Sequence, residues 1–289
     1  MSDKPQPRWE EHAAKALNEQ GFLFQQRVRE EMRLGFEEHR HKWVLEGMEY
    51  PVSAANERQT KIDLVLAHGQ HRGVHLAVEC KRAHPDYKAS LFFDTTHLGR
   101  SNSTRECLLE AVRLKQRPIK DFNTVTRRID KYTMGSREAF NYYLECKLGR
   151  DGKSSSTDTI EDAFVQVMLG HSGLMKKLFA MDSHFFARSI PVVLTTAQLF
   201  EAKFDVQKVS LREGFIKSSD LELKPLDFAP VHYHAADDLS LAPLTAVFSR
   251  PDITSDLTQW QTRTIFVVQA SCVVDFLGWA GQHLTEDEL

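Results

Sequence analysis

The stretch KIDLVLAHGQHRGVHLAVECK, residues 61–81, determines the fold that the sequence predicts. Apolar residues alternate with others on both sides of HGQHRG, which is typical of two half-buried strands joined by a hairpin loop. With the loop at the centre, Leu64 pairs with Val78 and the apolar partners all fall on one face. The same register sets Asp63 directly against Glu79 on the other face.

This pair of acids needs a positive partner. Like charges on adjacent strands, with Cβ atoms about 5 Å apart, destabilise a sheet. A divalent cation removes the repulsion, and carboxylates are the hard oxygen ligands that Mg²⁺ accepts. We expect the backbone carbonyl of Cys80 as a third protein ligand. Lys81 shares a face with Glu79, so its ammonium would orient an attacking water or stabilise charge on the transition state.

The periodicity of the remaining chain predicts an α/β protein. A first helix is expected between Trp9 and His39, broken or kinked near Gly21, followed by a strand between Trp43 and Val52. A capping-box-like start at Asp158 predicts a long helix. Further segments predict strands in SIPVVLTTAQLF (189–200), KVSL (208–211), LELKPLDF (221–228) and TIFVVQA (264–270), and a closing helix in SCVVDFLGWAGQHL (271–284). The core order is therefore helix, three strands, helix, strand.

Two parts of the chain interrupt or extend this order. An insertion is expected at about 83–138, with a short strand in DYKASLFFD (86–94) and a helix in TRECLLEAVRLKQ (104–116). Another strand is expected between Phe140 and Leu148. We therefore divide the chain into a core, 1–205, and a C-terminal α/β extension, 206–289, which the pattern allows to pack on the same core.

Asp63 on one strand, followed by Glu79 and Lys81 in VECK at the end of the next, resembles the PD-(D/E)xK nuclease superfamily. The resemblance covers about residues 21–204 without the insertion. It implies a restriction-endonuclease-like fold with a mixed central sheet flanked by helices. It also implies that Asp63 and Glu79 bind the metal and that Lys81 is the catalytic lysine of a Mg²⁺-dependent or Mn²⁺-dependent phosphodiesterase, with DNA as the expected substrate.

The chain departs from the superfamily pattern in two places. The family often has a glutamate on its first helix, where this chain reads GFLFQQRV with Gln25 at the expected position. Gln25, Glu30 or Glu31 would then take that role. The proline that names the motif is absent before Asp63. Many members of the superfamily also lack this proline. A catalytically inactive nuclease-like domain that binds nucleic acid or a protein partner is therefore the alternative function.

A second acid and lysine pair competes with the first. The pattern ExK occurs at Glu79/Lys81, Glu145/Lys147, Glu201/Lys203 and Glu222/Lys224. Glu145 and Lys147 share a strand face, and Asp130 lies upstream at a similar distance, but no convincing strand surrounds Asp130.

Phosphate binding is expected from the most basic segment, which contains Arg113, Lys115, Arg117, Lys120, Arg127, Arg128 and Lys131, although a solvated helix face explains these residues equally well.

Composition limits the remaining classes. The formal charge of −3 over 289 residues argues against a generally basic nucleic-acid-binding protein, so a polyanion site must be local. The four cysteines form no CxxC pair, which argues against a zinc knuckle or a disulfide framework. No apolar run approaches the roughly 20 residues that span a bilayer, so we expect a cytoplasmic protein without a membrane partner. The sequence leaves a homodimer open.

Overall fold

The predicted hairpin forms the middle of a nine-stranded mixed sheet. The structure is a computed structural model, and it describes residues 9–19, 21–54, 58–71, 73–83, 87–93, 106–113, 122–123, 126–129, 139–140, 142–147, 159–180, 186–234 and 262–285. Only the backbone is described for several of them, among them 106–113, 122–123, 126–129 and 147.

Four helices and thirteen strands make up the described elements. The helices are α1 (Trp9–Glu19), α2 (Phe22–Glu37), α3 (Thr159–Ala180) and α4 (Val273–His283). The strands are β1 (Trp43–Ser53), β2 (Gln59–His68), β3 (Val74–Lys81), β4 (Tyr87–Phe93), β5 (Glu106–Arg113), β6 (Phe122–Asn123), β7 (Thr126–Ile129), β8 (Tyr142–Lys147), β9 (Phe186–Thr195), β10 (Gln198–Phe204), β11 (Leu221–Leu226), β12 (Phe228–His234) and β13 (Thr262–Gln269). The predicted break near Gly21, the long third helix and the closing helix are confirmed.

The central sheet has the order β1-β2-β3-β9-β13-β12. β1, β2 and β3 form an antiparallel meander, while β9 runs parallel to β3 and to β13. Along the chain, α2 is followed by β1, β2 and β3, and later by α3 and β9. Apart from the strands between β3 and α3, this is the expected order of helix, three strands, helix, strand. The fold is therefore mixed α/β, with a mixed central sheet flanked by helices, as predicted.

Apolar side chains cover both faces of this sheet. On one face, Leu64 of β2 and Val78 of β3 pack with Val28 of α2 and Phe276 of α4. On the other face, the buried side of α3 packs against the sheet in a second cluster that contains Phe164. The apolar set that predicted the hairpin, including Leu64, Leu66, Leu76 and Val78, thus lies in the first cluster.

A second sheet, with the order β11-β10-β4-β8, begins where β3 and β9 end. β4 follows β3 and β10 follows β9, and the two new strands are again parallel. The 189–200 segment is therefore two strands rather than one, with a bend at Thr196 and Ala197. Strands that follow residue 205 complete both sheets, so the C-terminal part packs on the same core.

Two local predictions are wrong. The expected helix at 104–116 is strand β5, which pairs antiparallel with the first half of β9. The apolar residues of this segment fit the period of a helix and that of a strand equally well. The segment forms a strand because it pairs with the open edge of β9, and tertiary pairing overrides local propensity. KVSL is not a strand either: Asp205 accepts a hydrogen bond from Gln207 N at 2.9 Å and caps a short 3-10 turn, Val206–Lys208.

The glycine at position 173 lets α3 approach β1 closely. A Cβ atom there would lie 2.7 Å from Cβ of Val52 and 3.2 Å from the backbone carbon of Ser53. We expect Gly173→Ala to lower the free energy of unfolding by about 1–2 kcal/mol, because overpacking outweighs the gain in helix propensity.

Chemical denaturation measures this effect, and Gly21→Ala is the matched control. Gly21 has φ of −61° at the start of α2, and a Cβ atom there would meet nothing within 4 Å. The control should therefore be neutral. Equal stability of the two variants would contradict the close packing of α3 on β1.

Candidate active site

The two predicted acids meet where the pairing of β2 with β3 stops, with Asp63 in the middle of β2 and Glu79 near the end of β3. The pairs Leu64–Val78 and Leu66–Leu76 have the predicted register, but the ladder stops at Leu64–Val78, so Asp63 and Glu79 are not the directly opposed strand pair that the sequence predicted. Asp63 directly precedes Leu64, and its Oδ2 accepts a hydrogen bond from the backbone N–H of Cys80 at 2.7 Å. The Asp63 carboxylate thus bonds the opposite strand directly and is fixed beside Glu79.

The two carboxylates share a partly buried space. Burial, and secondly the charge of Asp63, raise the pKa of Glu79 to about 8. Burial also raises the pKa of Asp63, against the opposing effect of the Cys80 hydrogen bond. Two acids that are this close and this poorly solvated resist ionising together. Burial and the charge of Asp63 therefore both favour the protonated form of Glu79 when no cation is present.

Lys81 lies beside the acids on the face that the strand period predicts. Its charge lowers the pKa of both Asp63 and Glu79, although it does not outweigh burial. Nζ of Lys81 donates to Oε1 of Gln166 on α3 at 3.3 Å. Lys81 also pairs with Thr195, the last residue of β9, so the site lies at the carboxyl ends of two parallel strands.

Cys80 separates the two acids from the core. Its side chain is 8% exposed and belongs to the cluster beneath α2 and α4. Burial raises the pKa of its thiol, so the sulfur stays protonated and offers no thiolate to a metal. Only its backbone carbonyl, as the sequence suggested, is available as a ligand from this residue.

Gln25 reaches the site from the first turn of α2. It is only 9% exposed, and its side chain forms a hydrogen bond to Asp63 that lowers the pKa of that carboxyl. Asp63 therefore receives two donors, one from Cys80 and one from Gln25. Of the three residues proposed for the first-helix position, Gln25 is the one that the structure brings to the acids.

Glu30 and Glu31 lie elsewhere on α2. Glu30 forms an ion pair with Arg33 at 2.7 Å, and Glu31 pairs with Arg27. Both pairs stand on the solvent side of the helix, away from its buried face. The structure does not bring either glutamate to Asp63.

Glu49 is a site residue that the sequence analysis missed. Its charge raises the pKa of both Asp63 and Glu79, and its carboxylate lies 3.6 Å from Nζ of Lys61. Glu49 has φ of 46°, in the left-handed region that a non-glycine residue rarely adopts. The available signal was Gly47, since glycine inside a strand often marks an irregularity, and the register of β1 shifts between Leu45 and Gly47.

The other acid and lysine pairs occupy different places. Glu201 lies opposite Lys224, and Lys203 opposite Glu222, across the β10–β11 ladder, and Nζ of Lys203 lies 3.5 Å from Glu201. These two motifs therefore place opposite charges together on a strand pair. Glu145 lies on β8 of the second sheet, opposite Ser90. The side chain of Lys147 and the whole of Asp130 lie outside the described residues.

The predicted basic surface is only partly visible. Arg113, Arg127 and Arg128 belong to β5 and β7, where only the backbone is described. Lys115, Arg117, Lys120 and Lys131 lie outside the described residues. The role of this segment in phosphate binding therefore stays a prediction.

Comparison with protein-family models, with curated proteins and with solved structures found no match to this chain. Within the part of the chain that the structure describes, no helix is both long and apolar enough to cross a membrane. The same described residues contain no group of three or more histidine, cysteine, aspartate and glutamate side chains placed to hold a metal ion.

The donor set nevertheless suits a hard divalent cation. Mg²⁺ often takes only one or two carboxylates from a protein and fills its other positions with water and phosphate oxygens. Asp63 and Glu79 supply two such oxygens, and their pKa values are raised first by burial and then by neighbouring negative charges, which a bound cation would oppose. The residues present therefore fit Mg²⁺ or Mn²⁺ rather than a soft metal.

Proposed function

We propose that this protein is a divalent-cation-dependent nuclease that hydrolyses phosphodiester bonds in DNA, with a restriction-endonuclease-like core. The observation that carries the proposal is the meeting of Asp63, in the middle of β2, with Glu79 and Lys81 at the end of β3. The resemblance of VECK and its upstream aspartate to the PD-(D/E)xK superfamily gives these residues their roles. The element order and the parallel pairing of β3 with β9 support the same fold.

Asp63, Glu79 and the carbonyl of Cys80 would hold the cation, which supplies an activated water and polarises the scissile phosphate. Asp63 is kept in place by the Cys80 amide and by Gln25, so it needs little reorganisation. Lys81, steadied by Gln166, would donate from its ammonium to a phosphate oxygen on which negative charge develops. Each of these groups acts from a strand or a helix rather than from a loop.

Incubation with supercoiled plasmid, linear DNA and RNA tests the proposal. We expect nicked or linear plasmid with Mg²⁺ or Mn²⁺ and none with a chelator. Cleavage of RNA without cleavage of DNA would contradict DNA as the substrate but would still support a nuclease.

Salt-sensitive binding of DNA without cleavage under any metal condition would contradict the proposal. It would favour the alternative of an inactive nuclease-like domain, for which the neutral Gln25 at the first-helix position is the specific observation.

A further inference from the structure

Gln25 is nearly buried and placed by the helix rather than by a flexible loop. Its backbone N–H donates to the Gly21 carbonyl at 3.2 Å, which fixes it in the first turn of α2. On the buried side of the same helix it is followed by Val28 and Met32, which anchor α2 on the core. Its amide therefore meets Asp63 from a rigid position and adds a second donor to the Cys80 amide.

The formal charges at this site suit a single cation. Asp63, Glu79 and Glu49 carry three negative charges when ionised, while Lys81 and Lys61 carry two positive charges. With all five groups ionised the formal charge is about −1, and one divalent cation changes it to about +1. One phosphodiester group would neutralise that charge, whereas a second cation would leave a large positive excess.

We propose that Gln25 is a positioning residue that fixes the Asp63 carboxylate by hydrogen bonding and, because it is neutral, limits the site to one divalent cation. This inference rests on the proposed function, since it assumes that Asp63 and Glu79 bind a metal. A glutamate at this position would add a charge next to Asp63 and favour a second cation. A side chain without a donor would leave the Asp63 carboxylate held by the Cys80 amide alone.

Calorimetric titration with Mn²⁺ tests both parts of the inference without requiring turnover. The wild-type chain should bind one ion. Gln25→Met keeps the volume of the side chain and removes its N–H donor, so we expect one ion bound about 10-fold more weakly. Gln25→Glu should take up two ions.

Gln26→Ala is the matched control, because Gln26 is the next residue on the same helix and the structure gives it no part in the carboxylate pair. It should bind Mn²⁺ like the wild type. Thermal unfolding in chelator checks that each variant is folded, and Gln25→Asn is the second variant should the methionine disturb packing. An asparagine retains the donor but is one methylene shorter, so its Mn²⁺ affinity should also fall.

The outcomes separate the inference from the proposed function. No Mn²⁺ binding by the folded wild type would overturn the proposed function and this inference together. Binding by the wild type that is unchanged in Gln25→Met and Gln25→Asn would overturn only the positioning role. Binding of a single Mn²⁺ ion by Gln25→Glu, at any affinity, would overturn only the limit to one cation.

Discussion

Lys81→Ala is expected to lower the rate of plasmid cleavage by about 10²–10³-fold, the usual loss when one donor to a developing oxyanion is removed. The side chain lies beside Asp63 and Glu79, and Gln166 holds its ammonium at 3.3 Å. Because Lys81 is not a metal ligand, Mn²⁺ should still bind. Single-turnover cleavage with saturating metal measures the effect on the chemical step.

Lys203→Ala is the matched control for this experiment. Lys203 also stands two residues after a glutamate on a strand, but it pairs with Glu222 across the β10–β11 ladder. Its removal should leave the cleavage rate unchanged. Equal losses in the two variants, or full activity of Lys81→Ala, would contradict the assignment of the catalytic lysine.

The metal-free protein should lose stability as the pH rises from about 5 to 9, and Glu79→Gln should remove most of this loss. Burial and Asp63 raise the pKa of Glu79 from 4.5 to about 8. Between these values the folded state holds a proton that the unfolded state releases. The stability is therefore fully present below the unfolded pKa and is lost as the pH passes through the folded pKa.

Thermal unfolding in chelator across this pH range measures the prediction. We expect the wild-type melting temperature to fall by about 5 °C or more, and added Mg²⁺ to restore it at high pH. Glu79→Gln should show a flatter profile and no response to Mg²⁺. Glu222→Gln, which changes an exposed strand acid, should behave like the wild type. A wild-type profile that rises with pH would contradict the paired burial of the two acids.

The hairpin and its acids could be predicted because the information is local. Alternation along residues 61–81 fixes which side chains share a face, and a short loop fixes the register. The same pattern placed Lys81 beside Glu79. Apolar residues that recur at helical spacing over a long stretch likewise predicted α3 and α4.

The missed features depend on contacts between distant parts of the chain. β5 is a strand because β9 has an open edge some 75 residues later, which its own pattern does not reveal. Glu49 joins the site through an irregular β1 backbone with a positive φ, and one glycine is a weak signal for that geometry. The hydrogen bond from Gln25 depends on how α2 packs against β2.

Crystals soaked in Mn²⁺ would test the central claim most directly, because anomalous scattering locates the ion without reference to activity. The structure predicts one peak between Asp63 and Glu79, about 2.0–2.3 Å from an oxygen of each carboxylate, with the Lys81 ammonium nearby. A peak elsewhere, or carboxylates that diverge with no ion between them, would contradict the account.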